Sequence, residues 1–185
     1  MAEWSKLARR IRVPLGFLFA VLYFWLARPT WLSIGLGAIL VVPGLLIRAL
    51  ASGHVRKNEV LATSGPYAYT RNPLYLGSLV MGMGFCVAAR SWWVGVMLLV
   101  MFFAIYLPVI RDEEAFLRRT FPEFEDYANK VPRMLPRLTA HSVKEDAAGF
   151  SLQLYLKHRE YNALLGAVGM MAVLIFKLSL PLPRM

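Results

Sequence analysis

The sequence predicts an all-α integral membrane protein with about five transmembrane helices and a cytoplasmic amphipathic helical segment. Three observations carry that expectation. Of the 185 residues, 58% are hydrophobic and the mean hydropathy is +0.51, well above the apolar share of a soluble domain. Five uncharged runs recur along the chain, at 13–27, 29–47, 72–89, 91–110 and 161–176. The net charge of +10 sits in short clusters between those runs, the pattern of a chain held on an anionic membrane face rather than on nucleic acid.

A helix rises about 1.5 Å per residue and the hydrocarbon core is about 30 Å thick, so the second and fourth runs span directly. The other three are short, and Arg12, Arg28 and Lys177 can snorkel to complete them. Pro43 is expected to bend the second span, which a bundle tolerates. The N-terminus resembles a signal peptide in its charge pattern, but no small-residue cleavage site follows. It reads as a retained first span. The connections near Arg28 and Arg90 are tight turns, with Trp31, Trp92 and Trp93 at interfacial depth.

Only Arg28, Arg90, Lys177 and Arg184 of the 21 Lys and Arg residues fall on one side of this topology. The positive-inside bias therefore places the N-terminus and both long loops in the cytoplasm, in an inner or plasma membrane. By length, residues 1–185 form a single domain. Cys86 lies in an apolar run and reads as a small buried residue. His54, His141 and His158 lack metal-ligand spacing, so no metal is expected.

Residues 111–130 read as an amphipathic helix in two pieces, with Leu117, Phe121, Phe124 and Ala128 on one face. Arg118, Arg119, Glu123 and Glu125 take the other, and Pro122 is expected to begin the second piece. Residues 150–160 suit an interfacial helix leading into the last span.

The stretch "GPYAYTRNPLYLGS" contains a turn at Gly65-Pro66 and a helix start at Asn72-Pro73, where Asn caps and Pro fits the first turn. That helix end carries partial positive charge, reinforced by Arg71, and suits a carboxylate or phosphate. The hairpin of the third and fourth spans then returns the chain to the same depth at Asp112, Glu113 and Glu114. A ligand with both a carboxylate and an ammonium would match these two poles. The alternative is a solvated acidic helix face, with Arg71 pairing Glu113 across the hairpin.

"GPYAYTRNPLYLG" resembles the Gly-x-Tyr-x-x-x-Arg-His-Pro-x-Tyr-x-Gly signature of the isoprenylcysteine carboxyl methyltransferases, which stand alongside the membrane phospholipid methyltransferases. "EEAFLRRTFPEFEDYANKVPRMLPRL" resembles that family's second block. The resemblance covers roughly residues 45–138; residues 141–185, an interfacial helix and last span, fall outside it. It implies S-adenosylmethionine as methyl donor, held by Glu59, Val60, Leu61, Ala62, Tyr67, Asn72, Pro73, Leu74, Tyr75, Glu113 and Glu114. It implies a lipophilic acceptor from the bilayer: a thiol, a prenylcysteine-like carboxylate or a phospholipid headgroup. Arg111 and Arg133 are the nearest matches to the family's substrate-anion arginine. The family's His is Asn72 here, which cannot take up a proton near neutral pH. An NADPH-dependent sterol-type reductase and a non-catalytic membrane protein are the rival readings.

Overall fold

The computed structural model describes residues 2–56, 59–141 and 149–180, and within them every regular element is helical. The expected anchoring by Arg12, and residues 142–148 and 181–185 of the C-terminal segment, lie outside what it describes. In chain order the helices are α1 Ala2–Leu26, α2 Trp31–His54, α3 Pro73–Ala89, α4 Trp92–Met101, α5 Leu107–Thr120, α6 Phe124–Lys130, α7 Leu152–Lys157 and α8 Tyr161–Ser179. A π-helical turn, Phe102–Tyr106, joins α4 to α5 without a break.

Among the described residues, three helices are long and apolar enough to cross a membrane: Trp31–His54, Trp92–Thr120 and Tyr161–Ser179. Two shorter apolar helices, Pro14–Leu26 and Pro73–Ala89, accompany them. The five expected runs are thus all helical, with different ends. The first helix begins upstream of its apolar run, and the fourth continues past it to Thr120 as one piece. Pro43 lies inside an unbroken α2.

Helix α2 starts with a reciprocal cap: Thr30 Oγ1 accepts from Ser33 N at 3.2 Å, and Ser33 Oγ accepts from Thr30 N at 2.9 Å. Helix α3 stops where Arg90 enters the left-handed region at φ 51°. The Arg28 amide donates to Ala89 O at 2.7 Å, so the two tight turns are tied together. Trp31, Trp92 and Trp93 are exposed there.

Helices α2 and α3 pack antiparallel through small residues. A methyl group placed on Gly37 would stand 2.6 Å from Gly84 O, and one on Gly44 would stand 2.7 Å from Gly77 O. Such close backbone approach is the usual way membrane helices associate without a hydrophobic driving force. Tyr23 OH and Ser33 Oγ add hydrogen bonds to Phe85 O and Ala88 O, both 3.0 Å. Tyr23, Val41, Phe85, Val94, Ala167 and Leu174 belong to the core that results.

A second core lies outside the apolar spans. Leu61, Phe124, Tyr127 and Val131 are buried, with Leu117, Phe121 and Ala128 packed against them, as the amphipathic stripe predicts. Pro122 does not start α6. It occupies a turn closed by Phe124 N to Phe121 O at 3.1 Å, and the helix begins at Phe124. The expected interfacial helix is a single six-residue turn, α7, after which Arg159 at φ 53° redirects the chain into α8.

Candidate functional site

The start of α3 and the acidic end of the α4–α5 helix meet at one cavity of about 570 Å³. Helix α2 contributes Arg48; the loop after it contributes Val55, Arg56, Val60, Leu61 and Ala62. Tyr67 and Arg71 lead into the first turns of α3, where Asn72, Pro73, Leu74, Tyr75 and Ser78 line the wall. Across the hairpin stand Tyr106, Glu113, Glu114, Phe116, Leu117 and Phe121, and Glu160 closes the side next to α8. Ten of the residues implied by the family signature are therefore gathered on one cavity. Glu59 is not; it is exposed, outside the wall.

The two adjacent glutamates have different surroundings because neighbours on a helix point about 100° apart. Glu114 falls on the buried stripe with Ile110 and is 4% exposed. Its Oε2 accepts from Arg133 Nε at 2.9 Å and Nη2 at 2.7 Å, and its Oε1 accepts from Asn72 Nδ2 at 3.0 Å. Arg71 Nε lies 3.5 Å from the same Oε1 and, although buried, has no hydrogen-bond partner. Glu113 faces outward and accepts from Tyr75 OH at 2.9 Å. Arg71 thus pairs with Glu114, not with Glu113 as one sequence reading had it.

Asn72 departs from its expected role. It occupies the cap position, with its carbonyl accepting from Leu76 N at 3.0 Å, but its side chain makes no capping bond. The amide instead donates to Glu114 and to Arg133 O at 3.1 Å. A buried carboxylate is the stronger acceptor, so the side chain turns to it. Asn72→His would remove this twin donor. A loss of about 1 kcal/mol is expected, read from the unfolding midpoint in detergent, whereas an unmoved midpoint would show the amide to be dispensable.

Arg133 is engaged by Glu114 and stands outside the cavity wall, and the carboxylate pushes its pKa further up. Arg111 is exposed and also outside the wall. The structure therefore brings neither arginine to the cavity. Arg133 instead belongs to a segment laid along the approach to α3. Arg71 N donates to Pro132 O at 2.9 Å, Arg137 N to Tyr69 O at 3.0 Å and His141 N to Ala68 O at 2.9 Å. Buried Thr70 bonds the same segment through Arg133 O at 3.1 Å.

Tyr127 OH donates to Tyr67 O at 2.8 Å, fixing the loop in front of α3. Burial first, then Glu113 and Glu160, push the Tyr67 phenol above its ordinary range. Tyr127 is pushed up chiefly by burial, with Arg71 opposing. The raised pKa of Tyr127 agrees with its hydroxyl donating to Tyr67 O.

The sequence reading passed over Arg48, Ser78, Tyr106 and Glu160. Arg48 Nε donates to Glu160 Oε1 at 2.6 Å, and its Nη1 bonds Ser78 Oγ and, at 3.3 Å, Leu74 O. A signal existed for Arg48: Gly37, Val41, Gly44 and Arg48 recur at helical spacing, which sets Arg48 on the stripe facing α3. Tyr106 comes from the π-helical turn, a feature often found at functional sites. Ala104 in that turn gives its carbonyl to Trp4 Nε1 at 3.0 Å.

The fold and site define an all-helical membrane protein with a charged cavity at the start of a signature-bearing helix. Residues 12–123 match the phospholipid methyltransferase family, and the chain belongs to that family of integral-membrane methyltransferases. It is 40% identical over 139 residues to the cobalt-zinc-cadmium resistance protein CzcN of Cupriavidus metallidurans, covering 70% of this chain and 63% of that protein. It is 38% identical over 117 residues to the nickel-cobalt-cadmium resistance protein NccN of Alcaligenes xylosoxydans xylosoxydans, covering 60% of this chain and 54% of that protein. The chain thus spans less than two thirds of the length of either relative. No solved structure matches it.

Proposed function

We propose that the protein transfers a methyl group from S-adenosylmethionine to a lipophilic acceptor that reaches the cavity from the bilayer. The observation that carries this reading is the convergence of Arg71, the first turn of α3 and Glu113 on one cavity. The donor's amino-acid end carries one carboxylate and one ammonium, so it needs opposite charges a few ångströms apart. Arg71 has a buried Nε without a hydrogen-bond partner, 3.5 Å from Glu114, and the first turn of a helix directs N–H groups along its axis. Those groups suit the carboxylate. Glu113, whose surroundings leave it open to water, suits the ammonium. Leu61, Tyr67 and Leu117 offer apolar surface for the adenine. A cavity of about 570 Å³ lies within the roughly 300–1,000 Å³ of small-molecule pockets.

When bound, the donor supplies an electrophilic methyl carbon. The chain's part is to align the acceptor behind that carbon and keep water away, since in-line displacement is governed largely by positioning and desolvation. Asn72 cannot take a proton near neutral pH, and burial favours the protonated form of the Tyr67 and Tyr127 phenols. A carboxylate or thiolate acceptor needs no base; an amine needs one, and only the cavity's carboxylates qualify.

Glu114 is satisfied by Arg133 and Asn72, so Glu113 is the residue assigned to the donor. Glu113→Gln should weaken donor binding by about 1–3 kcal/mol, roughly 5- to 150-fold, the scale of one charge-assisted hydrogen bond. Glu114→Gln is expected to act on stability instead. Equal donor affinity in Glu113→Gln and wild type would return that carboxylate to the solvated face. The reaction itself is tested by incubating membranes from an overexpressing host with labelled methyl donor. Label above the host background in lipid or thiol fractions supports transfer, and its absence from both opposes it.

A second reading has the relatives' names in its favour, namely that the cavity binds a metal cation. Against it, Glu114 and Glu160 are each held by arginine, and among the described residues no three His, Cys, Asp or Glu are grouped to hold an ion.

A further inference from the structure

The segment from Lys130 to His141 carries three Lys or Arg residues and no acidic one, and with Asp126 counted the stretch stays basic. It runs on from the last residue of α6, beyond residue 123 where the family match ends, and lies outside the apolar helices. Two of its leucines are turned outward: Leu135 is 81% exposed and Leu138 is 100% exposed. A single exposed leucine needs no explanation. Two on one short loop, framed by cations, match the composition of an anchor on a membrane surface.

The loop is held in place by the segment in front of α3. Pro132 and Pro136 fix two of its backbone torsions. Its bonds to Ala68, Tyr69 and Arg71 are backbone to backbone, and the hydroxyl of buried Thr70 bonds Arg133 O and, at 3.2 Å, Met134 O. Residues 68–71 lead directly into α3 at Pro73. The loop therefore stands at the level where the apolar run of α3 begins, which is the level of a bilayer's head groups. Tyr69, exposed at the same level, is a residue type favoured there.

The charges fit the same surface. Arg133 is engaged by Glu114, and on α6 Glu125 is paired with Arg118. Arg137 Nη1 donates to Lys130 O at 2.8 Å, which brings its guanidinium to the end of α6 beside Lys130. Burial first, then the positive charges of Lys130 and Arg137, lower the pKa of His141, so the basic residues share one neighbourhood.

We propose that residues 130–141 form an anchor that seats Leu135 and Leu138 in an anionic lipid surface, with Lys130 and Arg137 against its head groups. The partner is the charged bilayer surface as a whole, recognised by apolar insertion and by charge. Because the loop is bonded to residues 68–71, the anchor also sets the height of the approach to α3. Lys130, Leu135, Arg137 and Leu138 line no part of the cavity, so the proposal stands apart from the methyl-transfer reading.

Full-length protein carrying Cys86→Ala and Leu138→Cys is labelled with an environment-sensitive fluorophore and placed in lipid nanodiscs. One set holds choline-headed lipid alone; in the other, anionic glycerol-headed lipid replaces half of it. The expected result is blue-shifted emission in the anionic discs, quenched roughly twofold more than in the neutral discs by lipids spin-labelled near the head group. Raising the salt concentration should narrow that difference, as should Lys130→Gln combined with Arg137→Gln. Leu135→Cys serves as a second reporter, and circular dichroism checks that each variant is folded. If the double variant is not, the lipid comparison and the salt series decide. Water-like emission from both reporters in both discs overturns the proposal. Equal quenching in the two lipids also overturns it, because charge would then select nothing.

Discussion

Glu114→Ala is expected to lose about 3–5 kcal/mol of stability, the cost of breaking a buried ion pair from one side. The carboxylate is 4% exposed and satisfies Asn72 and Arg133. Arg71 depends on it most. Its side chain is 13% exposed, its Nε has no hydrogen bond, and Glu114 is the carboxylate nearest to it. Removal would leave that guanidinium charged and poorly solvated against Phe124, whose ring centroid lies 6.0 Å away. Arg133→Ala should cost much less, because that side chain is 42% exposed and water screens its pairing. Denaturant unfolding in detergent measures both. Equal, small losses in the two variants would mean that Glu114 does not organise the site.

Gly77→Ala is expected to damage the fold and the cavity together. The added methyl would stand 2.7 Å from Gly44 O and from Arg48 Cγ. The first neighbour is backbone in a packed helix and cannot yield without separating α2 from α3. Overpacking of this kind costs about 1–3 kcal/mol, and here it also dislodges Arg48 from Ser78. Gly82→Ala provides the contrast. Its methyl would meet only the Leu98 side chain, with Cδ1 at 2.8 Å, and a leucine can change rotamer. Gly166→Ala meets nothing within 4 Å and should be neutral or slightly stabilising in a helix. Thermal midpoints of the three variants give the ranking, and a midpoint for Gly77→Ala as high as for Gly166→Ala would contradict the packing.

The hairpin was legible because it needs only local information. A helix start at Asn72-Pro73, a turn near Arg90 and nineteen residues back to the acidic cluster fix the depth at which the two ends meet. The division between the glutamates was not present in the sequence: Glu113 and Glu114 stand four and three residues before Leu117, both at helical spacing from the stripe. What could not be read is tertiary. Helical spacing turns Arg48 towards α3, but nothing in spacing brings Glu160 to it, since that residue lies in a segment without a motif. The cap was placed correctly but its side chain was not, because a buried carboxylate from another helix outcompetes the backbone for the Asn72 amide. The π-helical turn that brings Tyr106 to the cavity replaces an ordinary apolar turn, and "FFAIY" carries no residue that marks it.

The proposed chemistry is methyl transfer, and the proposed occupant of the charged cavity is a zwitterionic donor. Titration calorimetry of the purified protein with S-adenosylhomocysteine, the donor without its methyl group, tests that occupant directly. A single saturable event is predicted, near one ligand per chain, weakened tenfold or so in Glu113→Gln. No heat with this ligand, together with saturable binding of NADPH, would contradict the account.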